Sequence, residues 1–227
     1  MQKVKSAAPS QAVSTQSRAD ARSERKETTR LQLLTAAARI IGRYGYAGCT
    51  IARVTSRAKI AHGTFYLYFQ SQQELFDAVL PTLGAEMLDT ISRAVRESKD
   101  LLDLERRGFA ANFAYLKKHP YMYRVSTEAE LYAPTAYQKH IDSMVERYSR
   151  SLRRSLSAQH AHLSDREIEA RVTILLGSRM SLLQRYGLEH RMIRQLPEDI
   201  IDIYLDVVKH GIGIMDRAEA PMSDGTA

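Results

Sequence analysis

Apolar residues along this chain return every three or four positions and nowhere sustain an alternation of two. That spacing marks amphipathic helices and argues against a fold built on sheets. Leu31, Leu34, Ala38 and Ile41 share one face of a helix from about Arg25, which Gly45 stops just after Tyr44. Thr50 is placed to cap a short helix lined by Ile51, Val54 and Ala58. Ser71-Gln72-Gln73-Glu74 has capping-box spacing and opens a longer helix carrying Phe76, Leu80, Leu83, Met87 and Ile91 on one side. Further helices are predicted over Leu101 to Lys118, Tyr121 to Leu131, and Thr135 to about Ala158. A second capping box at Ser164-Asp165-Arg166-Glu167 opens one to about Tyr186, and Pro197 begins the last, to about Ile214. The expected total is nine helices, three small and six around them, with no internal repeat.

Composition fits this pattern. Trp is absent, there are 11 Gly and 6 Pro in 227 residues, and Leu, Ala, Arg, Glu and Ser are common. The length suits one large domain or two smaller ones. The single cysteine, Cys49, cannot make an internal disulfide, which fits a reducing compartment. No apolar run reaches bilayer length, and the first residues lack the apolar centre of a secretory signal. A cytoplasmic protein without membrane partners is expected.

Charge is divided unevenly. Residues 1–80 hold 12 Lys/Arg against 5 Asp/Glu, the whole excess of +7, while the remainder holds 21 of each sign. One end therefore faces something anionic. Within that end runs Thr50-Ile51-Ala52-Arg53-Val54-Thr55-Ser56-Arg57-Ala58-Lys59-Ile60-Ala61-His62-Gly63-Thr64-Phe65-Tyr66-Leu67-Tyr68-Phe69. It reads as two short helices about a tight turn, packed through Val54, Ala58, Ile60, Phe65 and Phe69. The second helix, His62 to about Tyr68, would leave three rows outside: His62 with Tyr66, Gly63 with Leu67, and Thr64 with Tyr68. Those residue types suit a DNA duplex. Hydroxyls of Thr50, Thr64, Tyr66 and Tyr68 can donate to phosphates, and His62 can meet base edges. Leu67 can touch a thymine methyl, and Gly63 lets the backbone approach closely. Arg53, Arg57 and Lys59 add attraction. The plain alternative is a helical hairpin that merely packs.

Gly45-Tyr46, Thr50, Val54, Ala58, then Gly63-Thr64-Phe65-Tyr66-Leu67-Tyr68-Phe69, Ser71 and Glu74-Leu75-Phe76 resemble the N-terminal domain of TetR-family (tetracycline-repressor-like) transcriptional regulators. The resemblance covers Leu31 to Leu80, about a fifth to a quarter of the chain. It implies an all-α fold with an N-terminal three-helix helix-turn-helix DNA-binding domain and a C-terminal six-helix ligand-binding and dimerisation domain. It also implies a homodimer, usually a repressor, bound to a palindromic double-stranded operator and governed by a small-molecule effector. The family's DNA contacts carry over to Thr50, His62, Gly63, Thr64, Tyr66, Leu67 and Tyr68, beside the cation Arg53. Three positions depart from the family pattern: Lys59 where Gly is common, Ala61 where Ser usually caps, and Gln72 where Lys commonly reaches a phosphate.

The expected division is a disordered basic arm over 1–24, the DNA-binding domain over 25–70, the ligand and dimer domain over 71–216, and a flexible tail over 217–227. Met87, Ile91, Phe109, Phe113, Tyr121, Tyr132, Tyr137, Met144, Tyr148 and Met180 are candidate effector-lining residues, with ordinary core as the alternative. Leu175, Leu176, Leu183, Ile201, Tyr204 and Val208 are candidates for a two-fold four-helix interface. Arg124 and Arg179 read either as partners of an acidic ligand or as surface charges. Cys49 reads as a small buried hydrophobe or a redox sensor. His160 and His162 lack a Cys partner, Gly211-Ile212-Gly213 follows no strand, and Glu128 and Glu130 face different ways on a helix. No nucleophile, base and orienter set appears, so neither an enzyme nor a cofactor is expected. The competing function is a helical small-molecule-binding or scaffold protein with a degenerate DNA module.

Overall fold

The computed structural model describes residues 10–156, 162–189, 192–194 and 196–211. Among them are nine helices: α1 Ser10–Tyr44, α2 Ile51–Ala58, α3 His62–Phe65, α4 Gln72–Ala94, α5 Leu101–Lys118, α6 Tyr121–Tyr132, α7 Pro134–Ser155, α8 Asp165–Tyr186 and α9 Glu198–His210. Between α8 and α9 lies an antiparallel two-residue ladder, Leu188 opposite Ile193 and Glu189 opposite Met192. Strands of two residues are too short to print an alternation in sequence. The helix caps follow sequence chemistry. Ser164 and Glu167 form a reciprocal capping box at the start of α8, and the Asp100 side chain caps α5 through the Asp103 N–H at 2.8 Å.

α1 begins earlier than its apolar stripe. Residues 10–24, expected as part of a disordered arm, are helical. Ala, Arg, Glu and Gln all tolerate helix, and no Gly or Pro interrupts them. Residues 1–9 and the 217–227 tail lie outside the described residues, as does His160.

The chain forms two compact units, and they are not the contiguous 25–70 and 71–216 blocks. The first runs to Leu83 and also takes in Tyr121–Gln138; the second comprises Gly84–Pro120 and the chain from Lys139 onward. The division cuts α4 between Leu83 and Gly84.

In the first unit α6 packs on α1. Leu33, Leu34, Ala37 and Ile41 of α1 are fully buried, as are Met122, Val125 and Ala129 of α6. Tyr46 knits them together. Its hydroxyl donates to the Val125 carbonyl at 3.2 Å, its N–H donates to Glu128 at 3.1 Å, and its ring stacks on Tyr132 with centroids 5.4 Å apart. Gly45 precedes it at φ 77°, and a Cβ there would stand 2.6 Å from the Arg124 guanidinium. Conformation therefore favours glycine, and any larger residue would also have to push aside the ends of the Arg124 and Glu128 side chains. Cys49 is fully buried, and burial pushes its thiol up to about 12, so it packs as a hydrophobe.

In the second unit one apolar cluster joins Phe109 of α5 to Leu196 and to Ile200, Tyr204 and Leu205 of α9. Another joins Leu152 of α7 to Leu163 and to Ile168 and Val172 of α8. His140 of α7 is buried against Gly84, where a Cβ would come 2.5 Å from the imidazole.

Candidate nucleic-acid interface

The interface is built within the first unit. Thr50 starts α2 in an extended conformation, and its Oγ1 accepts the Arg53 N–H at 3.3 Å. The cap uses a lone pair, so the hydroxyl hydrogen remains free to donate to a phosphate. Val54 and Thr55 turn inward, and the Thr55 hydroxyl donates back to the Ile51 carbonyl at 3.0 Å. Arg53 does not swing freely. It donates to the Gly48 carbonyl at 2.7 Å and lies 4.8 Å over the Tyr44 ring. Its charge is thus held beside the start of α2 at little further entropic cost.

The turn that follows carries strain. Lys59 adopts φ 58°, ψ 41°, the only positive φ at a non-glycine among the described residues. The Ile60 N–H donates to the Thr55 carbonyl at 3.0 Å and the Lys59 N–H to the Ser56 carbonyl at 3.2 Å. This is the Schellman pattern, which normally places glycine at the left-handed residue. Ala61 then precedes α3 with no side-chain cap. Both departures read in the sequence have the local consequences their chemistry implies.

α3 is shorter than the expected His62 to Tyr68. Helical geometry holds over His62–Phe65, and the chain continues in tighter turns, with Leu67 N–H donating to Thr64 at 3.2 Å and Tyr68 N–H to Phe65 at 2.9 Å. An uncapped start and an internal glycine leave little to propagate a longer helix. The turns still hold the outward rows apart from the inward ones. Phe65 and Phe69 are buried against each other, 5.7 Å between centroids. Tyr66 is 51% exposed and Leu67 73% exposed. His62 is exposed with its ring 5.9 Å from that of Tyr66, and Thr64 and Tyr68 are half-buried. A Cβ built on Gly63 meets nothing within 4 Å. The protein interior makes no demand for glycine there.

Beyond α3, the Ser71 hydroxyl accepts the Glu74 N–H at 3.1 Å, while the Glu74 carboxylate accepts from Gln70 N–H at 2.5 Å, one residue before the expected partner.

The ten effector candidates are spread over both units. Tyr121 and Tyr132 lie on α6, with Tyr121 against Gly42 and Tyr132 against Tyr46; Tyr137 is half-buried in the same unit. In the second unit Met87 and Phe109 are core, Ile91, Phe113 and Met144 are half-buried, and Met180 is 38% exposed on α8. The dimer candidates are covered to different degrees within their own unit. Leu183 and Tyr204 are buried, and Leu175, Leu176, Ile201 and Val208 pack on the two apolar clusters of their own unit. The outward apolar residues of these helices are Ile174 and Met180 on α8 and Ile203 and Val207 on α9.

Arg179 is neither a surface charge nor free for a ligand. It pairs with the fully buried Glu105 at 2.5 Å and lies 5.0 Å over the Tyr148 ring. Tyr204 donates to the same carboxylate at 2.5 Å, and Tyr148 donates to its other oxygen. Burial alone would lower the Arg179 pKa; the surrounding Tyr148, Glu105 and Tyr204 outweigh it and hold it above the usual range. Burial raises both tyrosines. Arg124 is likewise spoken for, paired with Glu128 and donating to the Arg43 carbonyl. Glu105 was missed in the sequence, although it stands on the same helical stripe as Leu101, Leu104 and Gly108, where an acid signals a buried partner.

Comparison with known proteins agrees with this geometry. Residues 33–79 match the family described as bacterial regulatory proteins, tetR family. The uncharacterized HTH-type transcriptional regulator YhgD of Bacillus subtilis is 28% identical over 112 residues, 49% of this chain and 59% of that protein, so the match spans less than two thirds of that relative. Among solved structures, FadR from Bacillus subtilis in complex with stearoyl-CoA is similar at TM-score 0.61 and 14% identity, over 80% of this chain and 98% of that one. AibR in complex with isovaleryl coenzyme A and operator DNA is similar at TM-score 0.59 and 14% identity, over 79% and 97%. At such identities the structures attest the shared fold, and the matched segment, with its two helices about a Schellman turn, is similar to the tetR family of bacterial regulatory proteins.

Proposed function

We propose that the chain is a ligand-responsive transcriptional regulator, acting as a repressor, that binds a palindromic operator as a homodimer in the cytoplasm. The observation that carries this reading is the exposure of His62, Tyr66 and Leu67 on a buried Phe65–Phe69 base, inside the basic end of the chain. Thr50, Thr64, Tyr66 and Tyr68 position the module on phosphates, and His62 and Leu67 read base edges. Gly63 admits the backbone, and Arg53 adds fixed charge. One short recognition element reads few base pairs, so two copies related by a two-fold axis are needed, with half-sites about 34–36 Å apart or a multiple of it.

The dimer face in this reading is the outward one: Ile174 and Met180 of α8 with Ile203 and Val207 of α9. Ile203 and Val207 stand one turn apart on α9, and Ile174 and Met180 flank Gly177 on α8; exposed apolar residues so placed on two consecutive helices suit four-helix packing across a dyad. Ile174→Asp with Val207→Asp is expected to turn a dimer into a monomer in sedimentation velocity and to lower operator affinity. A dimer that survives both substitutions refutes this face.

The effector enters through the second unit, and α4, whose residues belong to both units, is the element through which it is coupled to DNA binding. Coupling of this kind is typically about 1–3 kcal/mol and reciprocal. Two structural neighbours were solved with acyl-coenzyme A molecules, which makes acyl thioesters the first class to screen. Selection of genomic fragments by the purified chain, with and without such metabolites, tests the proposal. A palindrome should be enriched, and an effector should shift its recovery. The strained Lys59 and uncapped Ala61 favour a second reading, a helical binding or scaffold protein whose DNA module has degenerated. Equal recovery of all fragments would select that reading.

A further inference from the structure

α1 extends far beyond the core it helps to build. From residue 20 on, its first buried side chain is Leu33, yet the helix begins at Ser10, so residues 10–28 add about 28 Å of helix. Every residue from 20 to 28 is exposed, and Ala21 is the one apolar side chain among them. Over residues 20–28 the helix offers no apolar stripe for another element to pack on.

Its charges are sorted by face. At about 100° per residue, Arg22, Arg25, Lys26 and Arg30 fall within about 140° of the circumference, while Asp20, Glu24 and Glu27 fall within about 60° on the opposite side. A solvated helix stabilised by its own ion pairs would interleave the signs. Here the described residues show one loose pair, Arg30 with Glu27 at 3.7 Å, at the inner end of the segment. The basic ridge also has a definite inner terminus. The Arg30 guanidinium lies 5.4 Å over the Phe69 ring, and Phe69 packs on Phe65 beneath the exposed Tyr66. The ridge therefore starts at the recognition element and leads away from it.

We propose that the exposed segment of α1 is a second DNA-contacting surface, whose basic ridge engages phosphates of duplex flanking the base pairs read by α3. This rests on the reading of residues 50–69 as a DNA-binding module. The ridge carries no base-reading role. It lengthens the footprint and adds sequence-independent affinity.

The test uses the full chain, a selected genomic duplex and a random duplex of equal length. Arg22→Gln, Arg25→Gln and Lys26→Gln are combined, because glutamine keeps helix propensity while removing charge. The slope of log affinity against log salt should become shallower by about 2–3 for each protomer bound, on both duplexes, about 0.9 for each lost phosphate contact. The preference for selected over random duplex should not change. A second variant, Asp20→Asn with Glu24→Gln and Glu27→Gln, should tighten both complexes, a direction that misfolding cannot produce. Trimming the duplex to the half-sites should erase the difference between parent and first variant. An unchanged salt slope overturns the proposal, as does a loss confined to vesicles of anionic lipid. A parent chain that shows no preference between duplexes ends the regulator reading alone, since the slope still reports the ridge.

Discussion

Gly63 and Lys59 stand four residues apart and make opposite use of the backbone. Gly63 has open space where a Cβ would go, so alanine there costs the fold nothing and removes glycine's excess freedom. Gly63→Ala is expected to raise stability by roughly 0.5–1 kcal/mol in urea unfolding while weakening DNA binding, because the methyl would stand in the groove. Gain or parity in both measurements would show that the position never nears a duplex. Lys59 holds a left-handed conformation that glycine adopts without penalty. Lys59→Gly is expected to stabilise the chain by about 1 kcal/mol, and Ala61→Ser by about 1 kcal/mol through a cap on α3. The two sites flank one turn, so the double variant should depart from simple addition. If neither moves the urea midpoint, the turn is not a source of strain.

At the scale of elements, the Glu105–Arg179 pair fastens α5 to α8, and Tyr148 and Tyr204 bring in α7 and α9. Removing one charge strands the other where water cannot reach it. Glu105→Leu alone should destabilise by about 3–5 kcal/mol, whereas Glu105→Leu with Arg179→Met should recover much of that loss. Chemical unfolding of the three variants measures the coupling; equal losses in single and double variants would mean the pair adds nothing as a pair. The elements themselves were largely legible. α8 begins where its Ser164–Glu167 capping box says it should, and α5 at the expected Leu101, behind the Asp100 cap, because capping is local chemistry. The outward row of α3 was legible for the same reason, since Phe65 and Phe69 fix which side faces in. What the sequence hid was long-range choice. A helix with apolar residues on two sides does not say which side its own unit covers, so the burial of Leu183 and Tyr204 and the exposure of Ile174 and Val207 were not legible. Nor does an apolar stripe say that α6 will join α1, a pairing set by Gly42, Gly45 and Tyr46 across more than seventy residues.

For the molecule as a whole, acid is the condition that tests how the second unit closes. His140 is buried at the close approach of α4 and α7, and burial, aided by the Arg147 charge, brings its pKa down to about 4. In the unfolded chain it titrates near 6.5, so between those values the unfolded state binds more protons. Stability is therefore intact above about pH 6.5 and drains away as pH falls toward 4, by roughly 3 kcal/mol at the limit. The carboxylates of Asp89, Asp103 and Glu167 are held below their usual range, chiefly by side-chain hydrogen bonds from Arg147, Arg107 and Ser164. Their loss on protonation runs in the same direction but belongs to lower pH, which separates the two contributions. The melting temperature of the parent should be level from pH 8 to about 6.5 and fall steadily below it. His140→Gln keeps a polar side chain of similar size beside Gly84 and cannot titrate. It should start lower at neutral pH yet stay level down to about pH 4.5, where the carboxylates take over. Parallel curves for parent and variant would assign the acid sensitivity to the excess positive charge of the N-terminal residues instead, and salt would then relieve it.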